Sequence, residues 1–195
     1  VSIESGNSPV WPTSQLNGGT SVNNGTTTYA GVMGGTGGRT KAGTGTLTLS
    51  GNNPYTGATT INAGTLTLGA SNRIAVASTV NVAAGASFNL AGFSETIDIL
   101  TGGGTVTKTG AGTTTLMVGA NNGSGTFSGV IQNPTGTLAL TKIGTGTQTL
   151  SGANTYSGLT TISGGAIFAA SNGALGNATG ATSVASGATL AMNGG

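Results

Sequence analysis

Eight side chains in this chain of 195 residues carry charge, and any acid–base chemistry must draw on them: Glu4, Glu95, Asp98, Arg39, Lys41, Arg73, Lys108 and Lys142. There is no Cys and no His. A disulfide framework, a zinc or haem site, a Ser-His-Asp triad and a Cys–His nucleophile pair are therefore excluded within the chain. Glu95 and Asp98 are the one close carboxylate pair, and paired acids on one face are what glycoside hydrolysis requires. A spacing of three along a strand sends the two side chains to opposite faces. They read as a solvated edge or corner. No catalytic, metal or cofactor-binding residue is assigned, no cofactor is expected, and the chain reads as a non-enzyme.

Lys41, Lys108 and Lys142 share one motif position, each two residues before a glycine. A ligand-binding row is one reading. The preferred one places them at a coil edge, where lysines blunt lateral strand pairing. Thr-x-Thr recurs at Thr46 and Thr48, Thr65 and Thr67, Thr105 and Thr107, and Thr147 and Thr149. Such rows on a flat face resemble ice-binding surfaces, but Thr is also the ordinary outward residue of a strand. Gln148 and Lys108 read as interruptions of that regularity. An aromatic residue, one residue and a glycine recur at Tyr29, Tyr55, Phe127 and Tyr156. A carbohydrate platform would expose these rings; a repeating aromatic is better placed in a core or at a corner. Gly34-Gly-Thr-Gly-Gly38 lacks the Asp that a calcium nonapeptide needs.

The net charge is only +2, and the five basic residues form no run. Nucleic-acid binding needs several phosphate contacts from Lys or Arg, so no nucleic-acid partner is expected. No apolar run approaches the ~18–20 residues of a membrane helix, so no membrane insertion is expected. The chain opens on Val1 without a visible signal peptide, which suggests a processed form or an excerpt.

The elements that must position these residues are short strands. Thr46-Leu-Thr-Leu49, Thr65-Leu-Thr-Leu68, Val80-Asn-Val82 and Ser87-Phe-Asn-Leu90 alternate apolar and polar side chains. This is the pattern of half-buried strands. The 39 Gly and 37 Thr argue against helix. Lys41-Ala-Gly-Thr-Gly-Thr-Leu-Thr-Leu-Ser-Gly51 recurs as Lys142-Ile-Gly-Thr-Gly-Thr-Gln-Thr-Leu-Ser-Gly152. Asn53 to Ile61 likewise matches Asn154 to Ile162, and a degenerate third copy starts at Lys108. The aromatic spacings suggest a step in the mid-twenties. A parallel β-solenoid fits, with roughly eight coils of ~24 residues and a rod on the order of 40 Å long.

Lys41 to Leu68, Leu140 to Ile162 and Phe127-Ser-Gly-Val-Ile131 resemble the passenger-associated β-strand repeat of bacterial autotransporters. The resemblance covers most of residues 39–195. It implies an all-β, right-handed parallel β-helix, secretion to the surface or exterior of a Gram-negative-type bacterium, and a structural repeat with no catalytic residues to transfer. Residues 39–195 are expected to form the repeat solenoid. Residues 1–38, with Trp11, Pro9 and Pro12, lack the Lys-Gly motif and are expected to be an N-terminal cap or docking arm. The functional expectation is an extracellular structural rod whose copies stack head to tail into a filament. The alternative is a passenger segment of an adhesin that binds cell surfaces or matrix glycans.

Overall fold

The computed structural model describes residues 3–4, 19–22 and 24–193. Trp11, Pro9 and Pro12 lie outside the described residues. Within them the regular structure is all strand, and no helix is long and apolar enough to cross a membrane. The strands form a long sheet of ten strands, a second of six and a third of five. Every pairing is parallel. Parallel neighbours joined by a turn through another sheet define a β-solenoid, here of about eight turns.

The path of the chain changes along the rod. Early coils alternate between the long sheet (Arg39–Ala42, Thr59–Ile61) and the six-stranded sheet (Thr46–Leu49, Thr65–Leu68). Loops 50–58 and 69–78 form their third side. Central coils visit all three sheets, as in Ile99–Gly102, Thr105–Thr107 and Thr113–Val118. Late coils alternate between the five-stranded sheet (Thr137–Lys142, Thr160–Ile162) and the long sheet (Thr147–Leu150, Ala166–Ala169). There the six-stranded sheet gives way to loops 151–159 and 170–181. The step between rungs varies from 18 residues, Ser87 to Thr105, to 25, Thr105 to Val130.

The alternation of the sequence explains the core. Leu47, Leu66, Phe88, Val106 and Ile131 stand in register on successive rungs, and all are buried. Each such side chain contributes roughly 1.5–3 kcal/mol by leaving water. Their neighbours face out as two columns. One is Thr46, Thr65, Ser87, Thr105 and Val130; the other is Thr48, Thr67, Asn89, Thr107 and Gln132. Thr147 and Thr149 belong to the long sheet instead. Gln148 and Lys108 do not interrupt the outward rows as expected, because both side chains are buried.

Part of residues 1–38 is already solenoid: Gly19–Val22 pairs with Arg39–Ala42, and Thr26–Tyr29 pairs with Thr46–Leu49. At the other end, Val184 stands beside Ile162 and Met192 beside Ala169. Ile162 and Ala169 are buried, whereas Val184 is 44% and Met192 67% exposed. The inward-facing positions of this last described rung thus have nothing over them among the described residues.

Candidate functional site

The motif that carries the repeat is built around a buried ammonium. Lys41 is the third residue of the strand Arg39–Ala42 and donates from Nζ to the carbonyl oxygens of Ala42 and Gly43, both at 2.8 Å, and of Ala63 at 3.1 Å. Lys108 follows Thr105–Thr107 and donates to Gly110 at 2.5 Å, Ala111 at 3.1 Å and Thr135 at 3.3 Å. Lys142 ends Thr137–Lys142 and donates to Ile143 at 2.5 Å and Gly144 at 3.2 Å. An ammonium has three donors and no acceptor, and burying it is costly unless those donors are met. Corner carbonyls meet them, and two of the lysines also reach the following coil. Burial holds the Lys41 and Lys142 pKa values below the usual lysine range, with Asp98 partly opposing the shift at Lys142.

This corrects the expectation of edge lysines. All three are buried. The three also occupy three different corners. After Lys41 the chain passes from the long sheet to the six-stranded sheet. After Lys108 it passes from the six-stranded to the five-stranded sheet, and after Lys142 from the five-stranded back to the long sheet. The repeat is therefore a corner with its two flanking strands, and that unit can be set at any of the three edges of the rod.

The same shift carries the rest of the motif. Asn53 accepts from the Met33 amide at 3.0 Å and donates to the carbonyls of Gly51 and Arg73. Asn154 accepts from the Ile131 amide at 2.8 Å and donates to the Ala174 carbonyl. Each clips its own loop to the coils on both sides. The matched stretches contained these asparagines, but sequence reasoning gave them no role. The Tyr55 hydroxyl meets Thr59 at 2.5 Å, and that of Tyr156 meets Thr160 at 2.7 Å. Burial pushes both tyrosines up to about 12, with the threonine hydrogen bonds opposing. The Arg39 guanidinium lies 5.0 Å from the Tyr55 ring centroid and donates to the Gly34 carbonyl at 2.5 Å.

The four aromatics are buried, in line with a structural role, but they fall into two classes. Tyr55 and Tyr156 sit in side loops. Tyr29 and Phe127 end strands, and their rings lie over Gly31 and Gly129, where a β-carbon would strike them. Their sequence spacing therefore does not measure one structural period.

Glu95 and Asp98 are corrected as well: neither is solvated. Asp98 falls between the strands Glu95–Ile97 and Ile99–Gly102, where the two-residue alternation breaks. Its Oδ1 accepts from the Asn121 amide at 2.7 Å and the Gly123 amide at 2.9 Å. Glu95 Oε2 accepts from the amides of Arg73 at 2.8 Å and Ile74 at 3.4 Å. Burial raises the Glu95 pKa to about 7, against the pull of the Arg73, Ile74 and Thr96 amides and the Arg73 charge. One acid thus holds the preceding coil and the other the following coil.

Gln148 is a further residue that sequence reasoning missed. It stands where Leu47 stands in the first copy. Its side-chain amide accepts from the Leu100 amide at 3.3 Å and donates to the Leu100 carbonyl at 2.9 Å, two rungs away. Gly125, the residue beside it in register, has no side chain to block that reach. The arrangement as a whole binds backbone to backbone. Among the described residues no cluster of His, Cys, Asp or Glu could hold a metal.

Two of these corners, those of Lys41 and Lys142, fall within stretches that match a known repeat. Residues 40–68 and 140–167 match the passenger-associated-transport-repeat. A stretch of 90 residues, 46% of the chain, is 59% identical to the adhesin BmaC autotransporter of Brucella suis biovar 1 (strain 1330). That match spans 3% of the length of the Brucella protein. No solved structure matches the chain. The chain thus holds two stretches similar to the passenger-associated-transport-repeat, both built into a β-solenoid.

Proposed function

We propose that this chain is a non-enzymatic structural segment of an autotransporter-type adhesin, lying at the surface of a Gram-negative bacterium or beyond it. Its work is to form a stiff rod that carries binding elements away from the cell. The observation that carries this reading is the ten-stranded parallel sheet running through every coil, tied from rung to rung by buried side chains. Glu95, Asp98, Lys41, Lys108 and Lys142 are all engaged with backbone groups, which leaves none of them poised for catalysis. The outward hydroxyl and amide columns suit hydrogen bonding to neutral surfaces, and cell-surface or matrix glycans are the partner class this favours.

A second reading rests on the last described rung. Val184 and Met192 there are apolar, inward-facing and exposed, and among the described residues the strands bearing them are paired on one side only. A second copy stacking head to tail covers both, and such a contact propagates into a filament. Electron microscopy of the purified chain separates the two. Isolated short rods support the passenger segment alone, long fibres one solenoid wide add the filament, and compact globules contradict both.

A further inference from the structure

We propose that the six-stranded face of the solenoid binds ice, its two outward columns holding a net of water in the spacing of the crystal surface. The inference goes beyond the adhesin reading and stands without it. Register runs one to one, without a bulge, from Thr26–Tyr29 to Val130–Gln132. The two columns extend back by one rung, to Thr26 and Thr28. The first then carries a hydroxyl on five consecutive rungs, from Thr26 to Thr105. The other faces lack this regularity. Met117 follows Thr96 on the five-stranded sheet, and Phe168 follows Thr149 on the long one. The hydroxyls also point to an outside partner. Those of Thr48, Thr65, Thr67, Thr105 and Thr107 make no hydrogen bond to protein among the described residues. Asn89 departs from the pattern and donates to Thr109 at 3.1 Å. On the long sheet, by contrast, Thr101 is already engaged, accepting from Asn81 at 3.0 Å.

A threonine hydroxyl both donates to and accepts from water, while its methyl group offers water no partner. Branching at Cβ restricts the side chain to few rotamers, so little freedom is lost on docking. Rungs stand roughly 4.8 Å apart, and alternate residues of a strand about 6.6 Å apart. That rectangular net lies close to the oxygen repeat on the prism face of ice. Neither column holds a charged side chain, so no strongly hydrated ion orders water in a competing arrangement. Each contact is weak, and the face gains by repeating it along the rod. Among neutral surfaces this face suits ice better than a glycan. Sugar rings stack on exposed aromatics, and the four repeated aromatics here are buried.

Ice grown slowly in a solution of the chain tests the face. The wild type should shape the growing crystals into facets and be drawn into the ice. Thr67→Lys sets a charged, strongly hydrated side chain in the middle of the face. It should lower capture by ice roughly tenfold or more, with the unfolding midpoint little moved. Thr141→Lys, outward on the five-stranded sheet, should leave capture unchanged. If Thr67→Lys does not fold, Thr107→Lys repeats the test two rungs away. Unshaped crystals with the wild-type chain left in the liquid overturn the proposal. Equal capture of the wild type and a folded variant of this face does so too. Retention of the wild type on insoluble cellulose or chitin, with no effect on ice, gives the face to a glycan and likewise overturns it.

Discussion

At the residue scale the chain spends its few charges on backbone. The three lysines, Glu95 and Asp98 each replace water at carbonyls or amides that a tight corner would leave unpaired. A buried donor or acceptor without a partner costs about 1–3 kcal/mol, so such caps determine whether a corner can close. Lys142→Met keeps an unbranched apolar stem but leaves the carbonyls of Ile143 and Gly144 without their donor. We expect it to lower stability by roughly 1–3 kcal/mol in denaturant unfolding, with little change in the m-value. An unchanged midpoint would mean that water reaches those carbonyls. The importance of the lysine position was legible in the sequence, because Lys41, Lys108 and Lys142 recur before a glycine. Its burial was not. Lysine is ordinarily solvated, and nothing in the residue order reveals that three carbonyls converge on one ammonium.

At the element scale the unit is the corner. Strand alternation was legible from Thr-Leu-Thr-Leu runs such as Thr46–Leu49, and it correctly gave parallel coils with an apolar interior. What the residue order hid was azimuth. Two stretches as alike as Lys41 to Ile61 and Lys142 to Ile162 lie on different sheets, because coil length varies and the match measures residues, not turns. The acids were misread for a related reason: alternation holds within a strand and fails at Asp98, which lies between two. Close stacking also fixes residue type at the corner. A β-carbon on Gly152 would collide with the Gly129 carbonyl oxygen, as one on Gly51 would with that of Gly31. Gly152→Ala should therefore cost about 1–3 kcal/mol through displaced backbone, seen as a lowered unfolding midpoint. Gly85, with open space around its β-position but a φ of +82°, should be penalised for backbone strain instead.

At the scale of the whole molecule the exterior is nearly free of charge. Of the charged side chains described, only Arg73 is not buried. A rod of this kind gives trypsin little to cut while folded. We expect limited trypsinolysis to leave Lys41, Lys108 and Lys142 intact under native conditions and to cleave all three after unfolding, as read by mass spectrometry. Early cleavage at Lys108 would mean that the central coils open locally. The repeat also sets where the side loops of the solenoid emerge. Loop 50–58 decorates one side and its counterpart 151–159 another, since each follows a corner set on a different edge.

Disulfide mapping reads whether the corner steps around the axis of the solenoid. The chain has no cysteine, so introduced pairs report without background. Thr126 and Thr149 stand in register on neighbouring rungs of the long sheet, at a separation a disulfide can bridge. Thr126→Cys with Thr149→Cys should cross-link on mild oxidation, and Gln132→Cys with Thr149→Cys should not. If the second pair closes and the first does not, Thr149 lies on the six-stranded face beside Gln132. The two repeats would then share a side, and the account of a portable corner would be contradicted.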